Sequence, residues 1–224
     1  MAVTRYIDAD AAKHIHALTI QHSGGGAEGV IDFGKIESVL QHIQNDDYYP
    51  EFVDKLTHLF FCTCKFHSFE DGNKRLAITL SAQFLLINGY MSVAKTFFAE
   101  TENISYHVAA GNIDKELLHE IMESIMRGDF EENEEVKHLV EAVMENVKPA
   151  KQKTAVKISA TWGLKTPDEF VDMLWNCIKP LAPIFAALFC ASATDSRTTP
   201  AAISTAPIQG ITSLTGAPAA LFAR

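Results

Sequence analysis

Cysteine is scarce in these 224 residues: Cys62, Cys64, Cys177 and Cys190 are the only four. They are too few and too scattered for a disulfide framework. No stretch reaches the roughly 18 uncharged apolar residues that a bilayer span needs. The N-terminus lacks an apolar run too. Met1 to Asp10 carries Arg5, Asp8 and Asp10, which does not read as a signal peptide. A reducing, cytoplasmic setting without a membrane is expected. Positive charge is in short supply: 19 Lys and Arg face 28 Asp and Glu, a net charge of −9. Such a body does not attract duplex DNA through its overall field, so no direct nucleic-acid binding is expected. The remaining composition is ordinary, 47% hydrophobic and 21% charged. That excludes a wholly disordered, collagen-like or mucin-like chain, and the length suffices for a sizeable core.

The chain changes character near Val147. Residues 1–147 hold 11 basic and 24 acidic residues, whereas 148–224 hold 8 and 4. All nine histidines lie in the first part; seven of eight prolines and both tryptophans lie in the second. We therefore expect one domain over 1–147 and a boundary at about Val147 to Lys151. A short extension over 148–190 would follow, with one helix from about Thr166 to Ile178. From Ala191 the chain is mostly Ala, Ser, Thr and Pro, a composition expected to stay disordered. The apolar run Leu181 to Ala191 is too short and too interrupted to span a bilayer.

The first part reads as all-α. Asp8 can cap a helix to about Gln21, with Ala11, Ile15 and Leu18 on one face. Ser23-Gly24-Gly25-Gly26 breaks it, and Gly24 to Val30 suits a mobile flap or small hairpin. Asp32 can cap a short second helix, and Pro50 suits the first turn of a third. A fourth, Asn73 to Asn88, is apolar almost all round and should be buried at the centre, with Gly89 ending it. Further helices are expected over Asn103 to Ala110, Asp114 to Arg127 and Glu131 to Val147.

Between the third and fourth helices lies His67-Ser68-Phe69-Glu70-Asp71-Gly72-Asn73-Lys74-Arg75. A helix N-terminus offers free N–H groups and a positive dipole end to an anion. Gly72 lets a ligand approach the backbone. Lys74 and Arg75 add positive charge, and Arg can hold a phosphate with two hydrogen bonds. Basic residues at that end oppose the helix dipole, which itself hints at an anionic ligand. Asp71 can hold a hard cation such as Mg²⁺ beside phosphates. His67 ordinarily titrates near neutrality and suits a general base. These are the parts of phosphoryl or nucleotidyl transfer. A plain Asp-Gly-Asn turn with basic residues after it is the competing reading.

The segment resembles the core motif of the Fic/Doc family. The Doc (death-on-curing) branch has His-x-Phe-x-Asp-Ala/Gly-Asn-Lys-Arg, and His67, Phe69, Asp71, Gly72, Asn73, Lys74 and Arg75 match it. The resemblance covers roughly residues 4–130 and implies a compact Fic-fold helical bundle with an N-terminal flap loop. Lys74 stands where AMP-transferring Fic members keep Gly, and Ile78 where they keep a second Arg; both are typical of Doc. The resemblance thus implies a toxin that moves the γ-phosphate of ATP to a Ser or Thr hydroxyl of a target protein, with elongation factor Tu the expected target. A Phd-like antitoxin is the implied partner, and ATP and Mg²⁺ the implied cofactors. His67 would take the hydroxyl proton and Asp71 would hold Mg²⁺. Gly72 and Asn73 would build an anion hole, Asn73 also through its side chain, while Lys74 and Arg75 would bind phosphates. Phe69 would anchor the loop. Two alternatives stay open: AMP transfer to a protein hydroxyl, and an inactive module that binds nucleotide or antitoxin.

Other residues receive quieter readings. Some Fic proteins inhibit themselves through Ser/Thr-x-x-x-Glu; from Ser23 to Glu28 the spacing is one residue too long, so a plain flexible loop is expected. Cys62 and Cys64 should be buried thiols pointing apart. His14 and His16 read as surface or boundary residues, and His58 as structural.

Overall fold

A computed structural model describes residues 3–23, 25–27, 29–145 and 169. The expected boundary near 147–151, the tail and (Glu169 apart) the helix over 166–178 lie outside the described residues. Those residues form seven helices and no strand: α1 Ala9–His22, α2 Gly34–His42, α3 Phe52–Lys65, α4 Asn73–Ile87, α5 Met91–Ala110, α6 Lys115–Arg127 and α7 Glu134–Glu145. The domain is all-α.

The centre is α4. Twelve of its fifteen residues are buried, from Asn73 through Leu86. Helices α1, α3 and α5 pack around it, and α3 in turn carries α2 and α6. Phe84 receives Phe52 in a stack with centroids 4.8 Å apart. Polar Thr79 is tolerated at the centre because its hydroxyl bonds to Thr19 at 2.9 Å. Gly89 ends α4 at φ +88°, where a side chain would be strained, and the N–H of Tyr90 closes back on Leu85 O at 3.0 Å.

Caps explain the helix ends, and in part correct the expectations. Asp8 accepts from Ala11 N–H at 2.7 Å, as expected; Asp114, expected inside its helix, is instead its cap and accepts from Leu117 N–H at 2.9 Å. Asp32 does not cap α2, whose N-cap is Phe33 without a side-chain bond. The third helix starts after Pro50: Glu51 is the N-cap, and its N–H donates to Asp54 at 3.0 Å. Helix α7 begins at Glu134 rather than Glu131, because Asn133 accepts from Val136 N–H at 3.2 Å.

The largest correction is α5, which starts at Met91 and not Asn103. Ala94, Phe97, Phe98, Thr101, Ile104, Ser105, His107 and Val108 are its buried residues. Thr101 interrupts that stripe in sequence but not in structure, since its hydroxyl bonds back to Phe97 O at 2.6 Å. On α1 the buried face is Ala12, Ile15, His16, Thr19 and Ile20, one step round from the face expected.

Candidate functional site

The loop between α3 and α4 is held from below by its own Phe69. That ring is 2% exposed. His16 stacks on it with centroids 3.6 Å apart and Phe33 meets it edge-on at 6.0 Å. The Asn73 side chain then clamps the loop: its amide donates to Phe69 O at 2.7 Å and its carbonyl accepts from Phe69 N–H at 3.1 Å. The side-chain carbonyl and one of the two amide N–H groups are therefore spent on the loop backbone, so any side-chain contribution of Asn73 to an anion hole falls to its second N–H.

Above the anchor, the loop meets the flap. Segment 29–32 pairs with it instead of folding into the hairpin considered above. An isolated antiparallel bridge joins Val30 and Phe69. Ile31 and Asp32 N–H both donate to Ser68 O, at 2.9 and 3.0 Å, and Glu70 N–H donates to Gly29 O at 2.9 Å. Ser68 is wholly buried and its hydroxyl has no partner among the described residues. Val30 and Ile31 stay 54% and 62% exposed, so the outer edge of this segment is open.

The six expected site residues converge where α4 begins. Gly72 is the N-cap at φ +80°, and a Cβ there would sit 2.6 Å from Ile20 Cδ1. No side chain caps the helix, so its first N–H groups stay available to an anion. Lys74 is exposed in the first turn, with no ion pair among the described residues. His67 is exposed and unpartnered in the same sense, in the left-handed region at φ +47°. A non-glycine residue held there stores strain of about 1–3 kcal/mol and is commonest at functional positions.

Asp71 and Arg75 face each other across one turn. Asp71 Oδ2 accepts from Arg75 Nη2 at 2.9 Å, and Oδ1 accepts from Gly72 N–H at 2.6 Å. Arg75 Nη1 also donates to the carbonyls of Ser23 and Gly25, each at 3.1 Å, and to the Ser23 hydroxyl. The guanidinium thus joins the motif to the start of the flap.

The residues present suit a shared metal rather than a caged one. Among the described residues no group of three or more His, Cys, Asp and Glu could hold a metal ion. Asp71, its side chain 51% exposed, offers one carboxylate beside an anion-binding helix end. That fits Mg²⁺, which is commonly held by one or two carboxylates together with substrate phosphates.

Two contributors escaped sequence reasoning. His16 is 3% exposed, not a surface residue; besides stacking on Phe69, its Nε2–H donates to Asp71 O at 3.1 Å. Its signal was the i, i+4 spacing with Ala12 and Ile20 on the buried face of α1. Ser23 is wholly buried and holds Arg75. His14 is exposed, as expected. Glu28 lies outside the described residues.

His58 does not reach the site. It accepts from Lys115 Nζ at 3.2 Å and bonds to the Tyr49 hydroxyl at 3.0 Å. Burial first, then Lys115 and His42, push its pKa down to about 4. Cys62 and Cys64 are free, buried thiols. Burial raises the Cys62 pKa to about 11 and moves that of Cys64 in the same direction, so both are inert.

Residues 6–85 match the model of the Fic/DOC family, a span that takes in α1, the flap, the loop and almost all of α4. No curated protein and no solved structure matches the chain. Among the described residues no helix is long and apolar enough to cross a membrane.

Proposed function

We propose that this domain is a Doc-like protein kinase that moves the γ-phosphate of ATP onto a Ser or Thr hydroxyl, with elongation factor Tu as the expected target. A Phd-like antitoxin would silence it. The Fic/DOC match over 6–85 supports a protein-modifying transferase in general terms. The preference for phosphate over AMP transfer rests on one observation. Ile78, at the position of the second Fic arginine, is 0% exposed inside α4, while Lys74 is exposed at the helix N-terminus. A phosphate-binding arginine has no room at the first position, and a cation is ready at the second.

The chain's own residues suit the reaction. His67 is unencumbered and can accept the proton of an incoming hydroxyl. The hydroxyl oxygen then bonds to the γ-phosphorus, the bond to the β,γ-bridging oxygen breaks, and ADP leaves. The N–H groups at the start of α4 and Lys74 would meet the charge that develops on phosphate oxygens, and Arg75 would join them by exchanging its bond to Asp71 for one to a phosphate oxygen. Asp71 would hold Mg²⁺, whose chemistry is to neutralise and bridge the phosphates. Gly72 lets α1 pack against the start of α4, since a Cβ there would meet Ile20 and His16.

Intact-protein mass spectrometry after incubation with Mg-ATP and elongation factor Tu tests the reading, with His67→Ala in parallel. A gain of about 80 Da on the target, absent with the variant, is expected. A gain of about 329 Da would replace the kinase by an AMP transferase. A lysate in which no protein gains either mass would leave the inactive binding module.

A further inference from the structure

A cavity of about 380 Å³ opens against α3 and α6, away from the motif loop. Thr57, which lines it, lies eight residues before the end of α3 at Lys65, about 12 Å along the helix axis, and the motif loop begins beyond that end. The volume lies in the usual range of small-ligand pockets.

Much of the polar lining is already committed. Asp54 accepts from His119 Nε2 at 2.9 Å and from Glu51 N–H at 3.0 Å. Lys115 donates to His58 and lies 5.3 Å from the centre of the Tyr49 ring. Three acceptors are left over. Glu116 and Glu120 line the cavity one turn apart on α6, and neither has an ion pair or hydrogen bond among the described residues. Like charges at that spacing repel. The Thr57 hydroxyl, on a residue 0% exposed, has no hydrogen-bond partner among the described residues. It does not bond back to its own helix, whereas Thr63 one and a half turns on does so at 2.7 Å. A buried hydroxyl left unpaired is unusual and asks for an explanation. Tyr48, 72% exposed, and Tyr49 supply aromatic walls.

We propose that this cavity binds a guanidinium group, free or carried on an arginine side chain. A guanidinium has five N–H donors and no acceptor, which complements a set of leftover acceptors. Its plane stacks on tyrosine, and its fork matches carboxylates better than an ammonium does. Neutral His58 adds no charge against it.

Isothermal titration of the full-length protein with agmatine tests this, with (4-aminobutyl)urea, which keeps the ammonium and replaces only the guanidinium, as the control and a blocked Gly-Arg-Gly peptide as the side-chain form. Agmatine or the peptide should bind at least about tenfold more tightly than (4-aminobutyl)urea, and Glu116→Gln/Glu120→Gln should weaken it about tenfold at unchanged helix content. Binding of the peptide assigns the site to a protein partner; binding of agmatine alone assigns it to a free metabolite. Thr57→Val, which keeps the volume, should weaken the same probe. Equal affinity for guanidinium and urea, or undiminished binding by the double variant, overturns the proposal.

Discussion

Replacing Gly72 by Ala would separate backbone strain from steric overlap at the phosphate cradle. Gly72 and Gly89 both sit in the left-handed region, at φ +80° and +88°. Placing an L-residue there costs about 1–2 kcal/mol, offset by about 0.4–1 kcal/mol from the less flexible unfolded chain. At Gly89 a new Cβ meets nothing within 4 Å, so Gly89→Ala reads that net strain alone. At Gly72 the Cβ falls 2.6 Å from Ile20 Cδ1, and Ile20 is 2% exposed with little room to yield. Overpacking of this kind adds about 1–3 kcal/mol. Gly72→Ala should therefore destabilise by about 1–4.5 kcal/mol, and Gly89→Ala by no more than about 1.5. Ile20→Val removes the methyl that overlaps and alone costs about 0.5–1.5 kcal/mol. The double variant Gly72→Ala/Ile20→Val should be more stable than the sum of its parts by at least about 1 kcal/mol. Urea unfolding followed by far-UV circular dichroism measures all four variants. Additivity within about 0.5 kcal/mol, or equal losses at Gly72 and Gly89, would refute the packing argument.

Asn73→Ala should destabilise the ligand-free protein by about 2–4 kcal/mol in the same assay, because it strands the buried N–H and C=O of Phe69; a residue that only touched phosphate would leave unfolding unchanged. His67→Gly should lower phosphate transfer by about 10²–10⁴-fold while leaving stability equal or slightly higher, since glycine accepts φ +47° without strain. His58 is held neutral, so between its ordinary pKa of 6.5 and about 4 the unfolded chain binds the extra proton. Stability should therefore fall as pH is lowered through that window, and His58→Gln should flatten the slope in pH-dependent thermal melts; an unchanged slope would show that other groups set it.

The parts of this fold that sequence reasoning reaches are those where one residue type has one physical use. Asp8 sits just before apolar periodicity and is the cap. Helix α4 is apolar on every side and therefore central. The motif loop is legible because His67, Asp71, Lys74 and Arg75 are chemically conspicuous within nine residues. What stays hidden are polar residues whose needs are met by distant or backbone partners. His16 resembles a surface histidine until Phe69, 53 positions later, is seen beneath its ring. Ser23 opens a glycine run and suggests loop, yet it is wholly buried against Arg75. The first half of α5 lacks a capping side chain at Tyr90, and Thr101 breaks its stripe, so nothing local marks its start. Asn73 sits in the motif, but its clamp on Phe69 depends on loop geometry that spacing does not carry.

The burial of α4 has a consequence for how the protein loosens. Amide exchange and proteolysis sample partial openings whose free energies vary from near zero to the full unfolding free energy. The cradle begins on the most enclosed helix of the described residues, so its amides beyond the first turn belong to the slowest-exchanging class. The flap edge at Val30 and Ile31, held through one bridge and a few backbone bonds, belongs to the fastest. Two surfaces that meet at Phe69 thus open on different timescales: one side breathes while the other waits for the whole domain to unfold.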